Sequence, residues 1–210
     1  MIFLAVTFAI LGISMNILLD DSKKMSFMLE EKTNCREYIK DFLGIGDDID
    51  AILTVKKNYQ YNVFLNVLGI PNPDSKKIID IISALHEAGH YKIINQNRIN
   101  IEIYRLSQYL IAVNRLFIIP LIIIAFLFFL KIYEILIIYC LVATLIRLAI
   151  GISNEYLASR TAYKYFKHRN ICEYTKIAKK LYFYCFFSQL FLTLCIGFLM
   201  IALYFGNIKH

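Results

Sequence analysis

Charge is scarce in this chain: of its 210 residues only 19% are Asp, Glu, Lys or Arg, while 59% are hydrophobic. A soluble domain averages about 25% charged and about 45–50% apolar residues. The apolar residues are also clustered, which places the chain in the membrane class. Internal repeats and low-complexity tracts are absent, and the length suits one compact unit. No Cys-x-x-C pair occurs among Cys35, Cys140, Cys172, Cys185 and Cys195, and three of them (Cys140, Cys185, Cys195) lie in apolar runs. Reduced, packed thiols are therefore expected, not a disulfide framework or a cysteine metal site. The net charge of +7 comes without a helix-turn-helix or RNA-type pattern, so no nucleic-acid partner is expected. Lys and Arg instead flank the apolar segments, as in a protein that orients itself in a bilayer.

No Lys or Arg precedes the first apolar run, residues 1–19, and Asp20-Asp21-Ser22-Lys23-Lys24 follows it. A secretory signal peptide needs a basic start and a small-residue cleavage site. An uncleaved membrane anchor fits better. Residues 20–106 are the most soluble-looking part. Glu30 to Leu43 reads as an amphipathic helix. Ala51–Val55 and Tyr61–Val67 read as a small hairpin or two short strands about Lys56-Lys57-Asn58. Gly69-Ile70-Pro71-Asn72-Pro73-Asp74 is a break. Asp74 or Ser75 then caps a helix over about 75–94, with Ile78, Ile79, Ile82, Leu85 and Gly89 on its buried side. A transmembrane hairpin follows over 107–150. It has a possible kink at Pro120, a turn at Lys131-Ile132-Tyr133-Glu134, and Arg147 near its far end. Residues 151–181 are polar and basic, and 182–205 form the last crossing.

Four crossings allow a test of orientation. Residues 20–106 hold twelve Lys/Arg and residues 151–181 hold seven, whereas the 131–134 turn and the C-terminal tail hold one each. The positive-inside rule puts both basic segments in the cytoplasm. His86 and residue 155 then share one side of the membrane.

His86 and His90 are four apart, so a helix presents both imidazoles on one face, one turn apart. Two neutral ring nitrogens there can hold Zn²⁺ at about 2.0–2.1 Å. Glu87 follows the first histidine and can serve as general base to an attacking water without being a ligand. Gly89 removes bulk and lets another backbone come close. The bland alternative is a surface helix whose His and Glu face solvent. A catalytic zinc takes three protein ligands. His168 stands in the basic run Lys167-His168-Arg169, which repels a cation, and His210 is terminal on the other side. Glu155, in Asn154-Glu155-Tyr156-Leu157-Ala158-Ser159-Arg160, is the better third ligand; its alternative is an ion pair with Arg160 or a nearby Lys.

His86-Glu87-Ala88-Gly89-His90 and the later Glu155-Tyr156-Leu157-Ala158-Ser159-Arg160, set among hydrophobic segments, resemble the YugP-type bacterial membrane zinc metallopeptidases. Tyr61 to Asn66 resembles the strand before that family's zinc helix, whose edge holds substrate backbone in related gluzincins. Leu157 and Thr161 depart from the pattern. The resemblance implies His86, His90 and Glu155 as ligands and Glu87 as base. Arg160 ranks first as oxyanion stabiliser, with Tyr91, Tyr156 and Tyr163 also in reach; Ser159 and Tyr156 are further candidates for supporting the ligands. Arg147 would snorkel to the cytoplasmic face, with Asn154 seven residues on.

The expected fold class is mainly α and integral to the membrane, with about four transmembrane helices and a small α+β segment carrying the H-E-x-x-H helix. The expected function is that of a membrane-bound, zinc-dependent endopeptidase in a bacterial cell membrane. Its active site would face the cytoplasm, and its partners would be a peptide or protein substrate and the bilayer. The alternative is a non-enzymatic, zinc-stabilised interaction protein. A small transporter is disfavoured because discontinuous-helix signals are lacking beyond Pro120.

Overall fold

A computed structural model describes residues 1–26, 29–46, 48–128, 132–169 and 172–207. It is mainly helical. Among the described residues four helices are long and apolar enough to cross a membrane: Ile2–Lys24, Arg98–Leu127, Ile132–His168 and Tyr174–Phe205. The chain divides into two compact units where its length suggested one. An apolar unit comprises Met1–Asn16, Ile103–Ser153 and Phe186–His210, and a mixed unit comprises Ile17–Glu102 and Asn154–Cys185.

The helices are α1 (Ile2–Ser26), α2 (Cys35–Leu43), α3 (Ile49–Ile52), α4 (Ile78–Ile94), α5 (Arg98–Val113), α6 (Ile119–Leu127), α7 (Ile132–Ile146), α8 (Ser153–His168) and α9 (Cys172–Asn207). Asn114–Ile118 and Arg147–Ile152 are π-helical turns that continue α5 into α6 and α7 into α8. The strands are β1 (Leu53–Val55), β2 (Gln60–Asn62) and β3 (Val67–Ile70).

Several expectations change in detail. The amphipathic helix begins at Cys35, five residues later than expected, because the Asn34 side chain accepts the Glu37 N–H and fixes the start there. Gly44, at φ 68°, ends it in the left-handed region. The sheet has three strands in the order β1-β3-β2, with β1 parallel and β2 antiparallel to β3. Of the two readings for 51–55 and 61–67 the hairpin does not form, and β1 and β2 are two short strands that each pair with β3. Asn62 Oδ1 accepts the N–H groups of Phe64 and Leu65, and Asn66 adopts φ 53°, so the chain turns back after Asn62. The helix expected over about 75–94 starts at Ile78 and takes Lys77 as its cap position, without a side-chain cap. Ser75 instead accepts the Lys77 N–H and donates to Asp80 in the first turn.

Within the mixed unit the core gathers α2, α4, β3, α8 and the start of α9 around Ile39, Leu68, Ile70, Ile82, Leu85 and Phe166. Lys92 Nζ donates to the Phe42 carbonyl at 2.8 Å and sits over the Phe42 ring. Tyr165 and Arg169 both donate to Asp41, which ties α8 to α2. Cys35 is fully buried, and burial pushes its thiol up to about 12, as suits a packed, inert cysteine. No disulfide joins Cys35, Cys140, Cys185 or Cys195.

In the apolar unit Ile122, Ala125, Tyr133, Ile137, Cys140 and Met200 form a small core. Large side chains such as Leu116, Phe117, Leu121, Leu127 and Leu145 face outward. Helices that satisfy their own backbone and expose apolar side chains suit a lipid surroundings. Pro120 lies in the first turn of α6, directly after the first π-helical turn. A proline ring clashes with the preceding helical turn and lacks an N–H, and the wider turn relieves both. Ile132, Tyr133 and Glu134 lie in the first turn of α7 and not in a turn as expected, and Lys131 lies outside the described residues. The helix also runs through 150–151, where a boundary between crossing and polar segment was expected.

Candidate metal centre

α4 carries a nearly continuous buried stripe: Ile78, Ile81, Ile82, Leu85, His86, Gly89 and His90 are all buried. The two histidines are part of that stripe, so they face α8 and not solvent. α8 answers with Ala158, Ser159, Ala162 and Phe166, which recur at helical spacing and are buried. Glu155 stands one turn before Ser159 and joins the same face.

The approach of the two helices depends on Gly89. A Cβ there would lie 2.7 Å from the Ala158 carbonyl oxygen and 3.1 Å from its Cα. Backbone meets backbone at this point, and no side chain fits between.

That approach brings Glu155 to both histidines. His86 Nε2 is 3.2 Å from Glu155 Oε2, and His90 Nε2 is 3.6 Å from Oε1. The candidate ligand atoms of His86, His90 and Glu155 all lie within 4.8 Å of one another, so this group could hold a metal ion. Tetrahedral bonds of about 2.0–2.1 Å set ligand atoms about 3.3 Å apart, which is close to the two histidine–glutamate spacings. The imidazoles stand nearly perpendicular at 86°, with centroids 4.9 Å apart, so their nitrogens converge without stacking.

Supporting contacts orient the ligands. Ser159 Oγ lies 3.2 Å from His86 Nδ1, leaving Nε2 to face Glu155. The Tyr182 ring lies 5.5 Å from the His86 ring, and its hydroxyl donates to the Ile82 carbonyl at 2.9 Å. Burial is the strongest single influence on His86 and opposes its charge. The carboxylates of Glu155 and Glu87 outweigh it and hold the imidazole above its ordinary value.

Glu87 projects from the same helix toward the sheet. Its Oε2 accepts the Tyr61 N–H at 2.8 Å. In β2, Gln60 and Asn62 flank Tyr61, which is opposite Leu68. β2 is an edge of the sheet, so its outward backbone edge meets Glu87. The Tyr61 hydroxyl and Asn95 Nδ2 both donate to Asn66 Oδ1, and Tyr91 packs edge-on against Tyr61. These contacts pin the strand to the C-terminal half of α4. A cavity of about 400 Å³ opens on His86 and Glu87 and is walled by Leu19, Ile79, Ile82, Leu181 and Tyr182.

The other candidates fall elsewhere. Arg160 and Tyr156 are exposed; a helix turns residue 160 about 140° away from residue 155. His168 is exposed at the end of α8, and His210 lies outside the described residues. Tyr91 contacts Tyr61, not the ligands. Sequence reasoning missed Tyr182 and the Tyr61 backbone. The first reads as the start of a membrane crossing, and the second is a main-chain group with no residue-type signal. Comparison with family models, with curated proteins and with solved structures finds no match to this chain.

Proposed function

We propose that the protein is a membrane-bound zinc endopeptidase in which His86, His90 and Glu155 hold the metal and Glu87 is the general base. The observation that carries this reading is the convergence of the two imidazole nitrogens on Glu155, at 3.2 and 3.6 Å, with Glu87 one position along the same helix. A zinc ion held there would supply Lewis acidity, polarising a peptide carbonyl and acidifying water. Glu87 takes a proton from the attacking water and delivers it to the leaving amine. A structural zinc site has no use for such a carboxylate beside it.

The edge of β2 supplies the substrate platform. An extended peptide lies along β2 and so passes beside Glu87, whose carboxylate takes the Tyr61 N–H. The cavity walled by Ile79, Ile82 and Leu181 accepts an apolar side chain of that peptide. Arg160 is not assigned a role in the chemistry, since it is exposed. The resemblance to YugP-type peptidases in the His86–His90 and Glu155–Arg160 segments agrees with this assignment of roles. The Lys/Arg count of the connecting segments supports a cytoplasmic active site, and a bacterial membrane is what the resemblance implies.

The test is Glu87→Gln in the full-length protein, assayed for zinc content and for hydrolysis of a peptide library. Zinc is retained and hydrolysis is lost. Hydrolysis that survives the substitution removes Glu87 from the mechanism.

A further inference from the structure

We propose that the apolar unit holds a binding site for the headgroup of an anionic phospholipid, built on Arg147, Arg115 and Asn114. This site is separate from the candidate metal centre and does not depend on the peptidase reading.

A cavity of about 300 Å³ lies within this unit, at the small end of the range of about 300–1,000 Å³ for ligand sites. Both Arg115 and Arg147 line it, together with Asn114, Thr144, Gln189 and Thr193. Two guanidinium-bearing residues on one cavity wall amid apolar helices call for an explanation, since charge in a membrane span is costly. Arg147 Nε donates to Thr193 Oγ1 at 3.1 Å and Nη2 to Gln189 Oε1 at 3.0 Å. Both of these acceptors are uncharged side-chain oxygens, and they orient the guanidinium fork within the cavity. A planar fork held in this way suits a phosphate.

Asn114 is a second, independent pointer. It is 8% exposed, and its side chain hydrogen-bonds Cys140, while its buried Oδ1 has no hydrogen-bond partner. A buried acceptor left unsatisfied is costly, so it calls for a donor from an occupant. A phosphodiester with hydroxyls in its headgroup meets both demands, with anionic oxygens for the arginines and an O–H for Asn114. Asn114 opens one π-helical turn and Arg147 opens the other. An inserted residue in a helix re-aims side chains, and both insertions here bring polar groups to one cavity.

Depth agrees with a headgroup. From the connection between Phe128 and Ile132, Arg115 and Arg147 stand 13 and 15 residues away, or about 20 Å of helix at about 1.5 Å per residue. Crossing a hydrocarbon core takes about 30 Å, and long arginine side chains reach onward toward the far interface. Basic pockets between spans at that level are where anionic lipid headgroups are recognised.

The experiment is native mass spectrometry of the full-length protein exchanged among phosphatidylglycerol, phosphatidic acid and phosphatidylcholine of one acyl composition. Wild type should retain phosphatidylglycerol over phosphatidylcholine by at least about fivefold per arginine engaged. Arg147→Gln should lower that preference about fivefold and Arg147→Gln with Arg115→Gln should bring the two lipids to parity, while Arg147→Lys keeps more of the preference than Arg147→Gln and controls for folding. Asn114→Leu should erase the preference for phosphatidylglycerol over phosphatidic acid, which lacks the headgroup hydroxyls. Equal retention of all three lipids by wild type, or an Arg147→Gln protein indistinguishable from it, overturns the proposal. Complete displacement of the lipid by millimolar inorganic phosphate also overturns it, since the occupant would then be a free anion.

Discussion

Gly89 faces the main chain of Ala158 so closely that a Cβ on it would stand 2.7 Å from the Ala158 carbonyl oxygen. The contact sets how near Glu155 comes to His86 and His90, because Ala158 and Glu155 share one turn of α8. Gly89→Ala should therefore push the helices apart. The expected cost is about 1–3 kcal/mol of stability, with zinc affinity falling as the ligands spread. Thermal denaturation with and without zinc checks this, and an unchanged zinc affinity would speak against the helix approach as its cause.

Ser159 and Glu155 separate support from ligation. Ser159→Ala removes the oxygen 3.2 Å from His86 Nδ1, and losing such an outer partner typically costs about 10–100-fold in metal affinity. Glu155→Gln keeps the shape but removes the charge and should cost more than Ser159→Ala. Competition titrations with a zinc chelator give both numbers, and the order of the two variants is the test.

On the proposed reading zinc and protons compete for His86. The neighbouring carboxylates hold its imidazole above the ordinary value of about 6.5. In the metal-free protein a raised histidine stabilises the fold fully below the unfolded value, and this contribution is lost as pH rises through the folded one. Metal binding has the opposite sign, because a ligand nitrogen must be neutral. Zinc affinity should fall as pH drops below the raised value, and binding near neutrality should release protons. Calorimetry in buffers of different ionisation enthalpy measures that release, and zinc uptake without proton release is the contrary result.

The Tyr61 N–H holds Glu87 at 2.8 Å, so the strand edge aims the proposed base. Tyr61→Pro and Tyr61→Ala both remove the ring and its hydroxyl, but only proline removes the N–H. Hydrolysis should be at least about tenfold slower in the proline variant than in the alanine variant, a part of the 10²–10⁴ that general-base catalysis contributes. Zinc content should be equal in the two. Matching rates would leave this hydrogen bond without a role.

These outcomes follow from how much of the molecule is local. The His86–His90 pair was legible because a spacing of four on a helix fixes one face from sequence alone. The apolar stripe of α4 was legible for the same reason. Glu155 was legible only as one acidic candidate among alternatives, since nothing local states that α8 returns to α4. β1 pairs with β3 in parallel across the whole of β2, and the return of β3 along β2 is set by the Asn62 turn and Asn66 in the left-handed region; strand propensity encodes neither. Arg160 looked suitable by type, but its position on the helix turns it outward. Tyr182 and the Tyr61 N–H act through tertiary contact, which leaves no periodic trace.

Zinc-edge absorption spectroscopy of the purified full-length protein reads the coordination shell of the proposed site itself. The account requires one zinc per chain with two imidazole nitrogens and a carboxylate oxygen at about 2.0–2.2 Å, and loss of the oxygen contribution in Glu155→Gln. A chain that takes up no zinc, or a sulfur scatterer at about 2.3 Å marking a cysteine ligand, would contradict it.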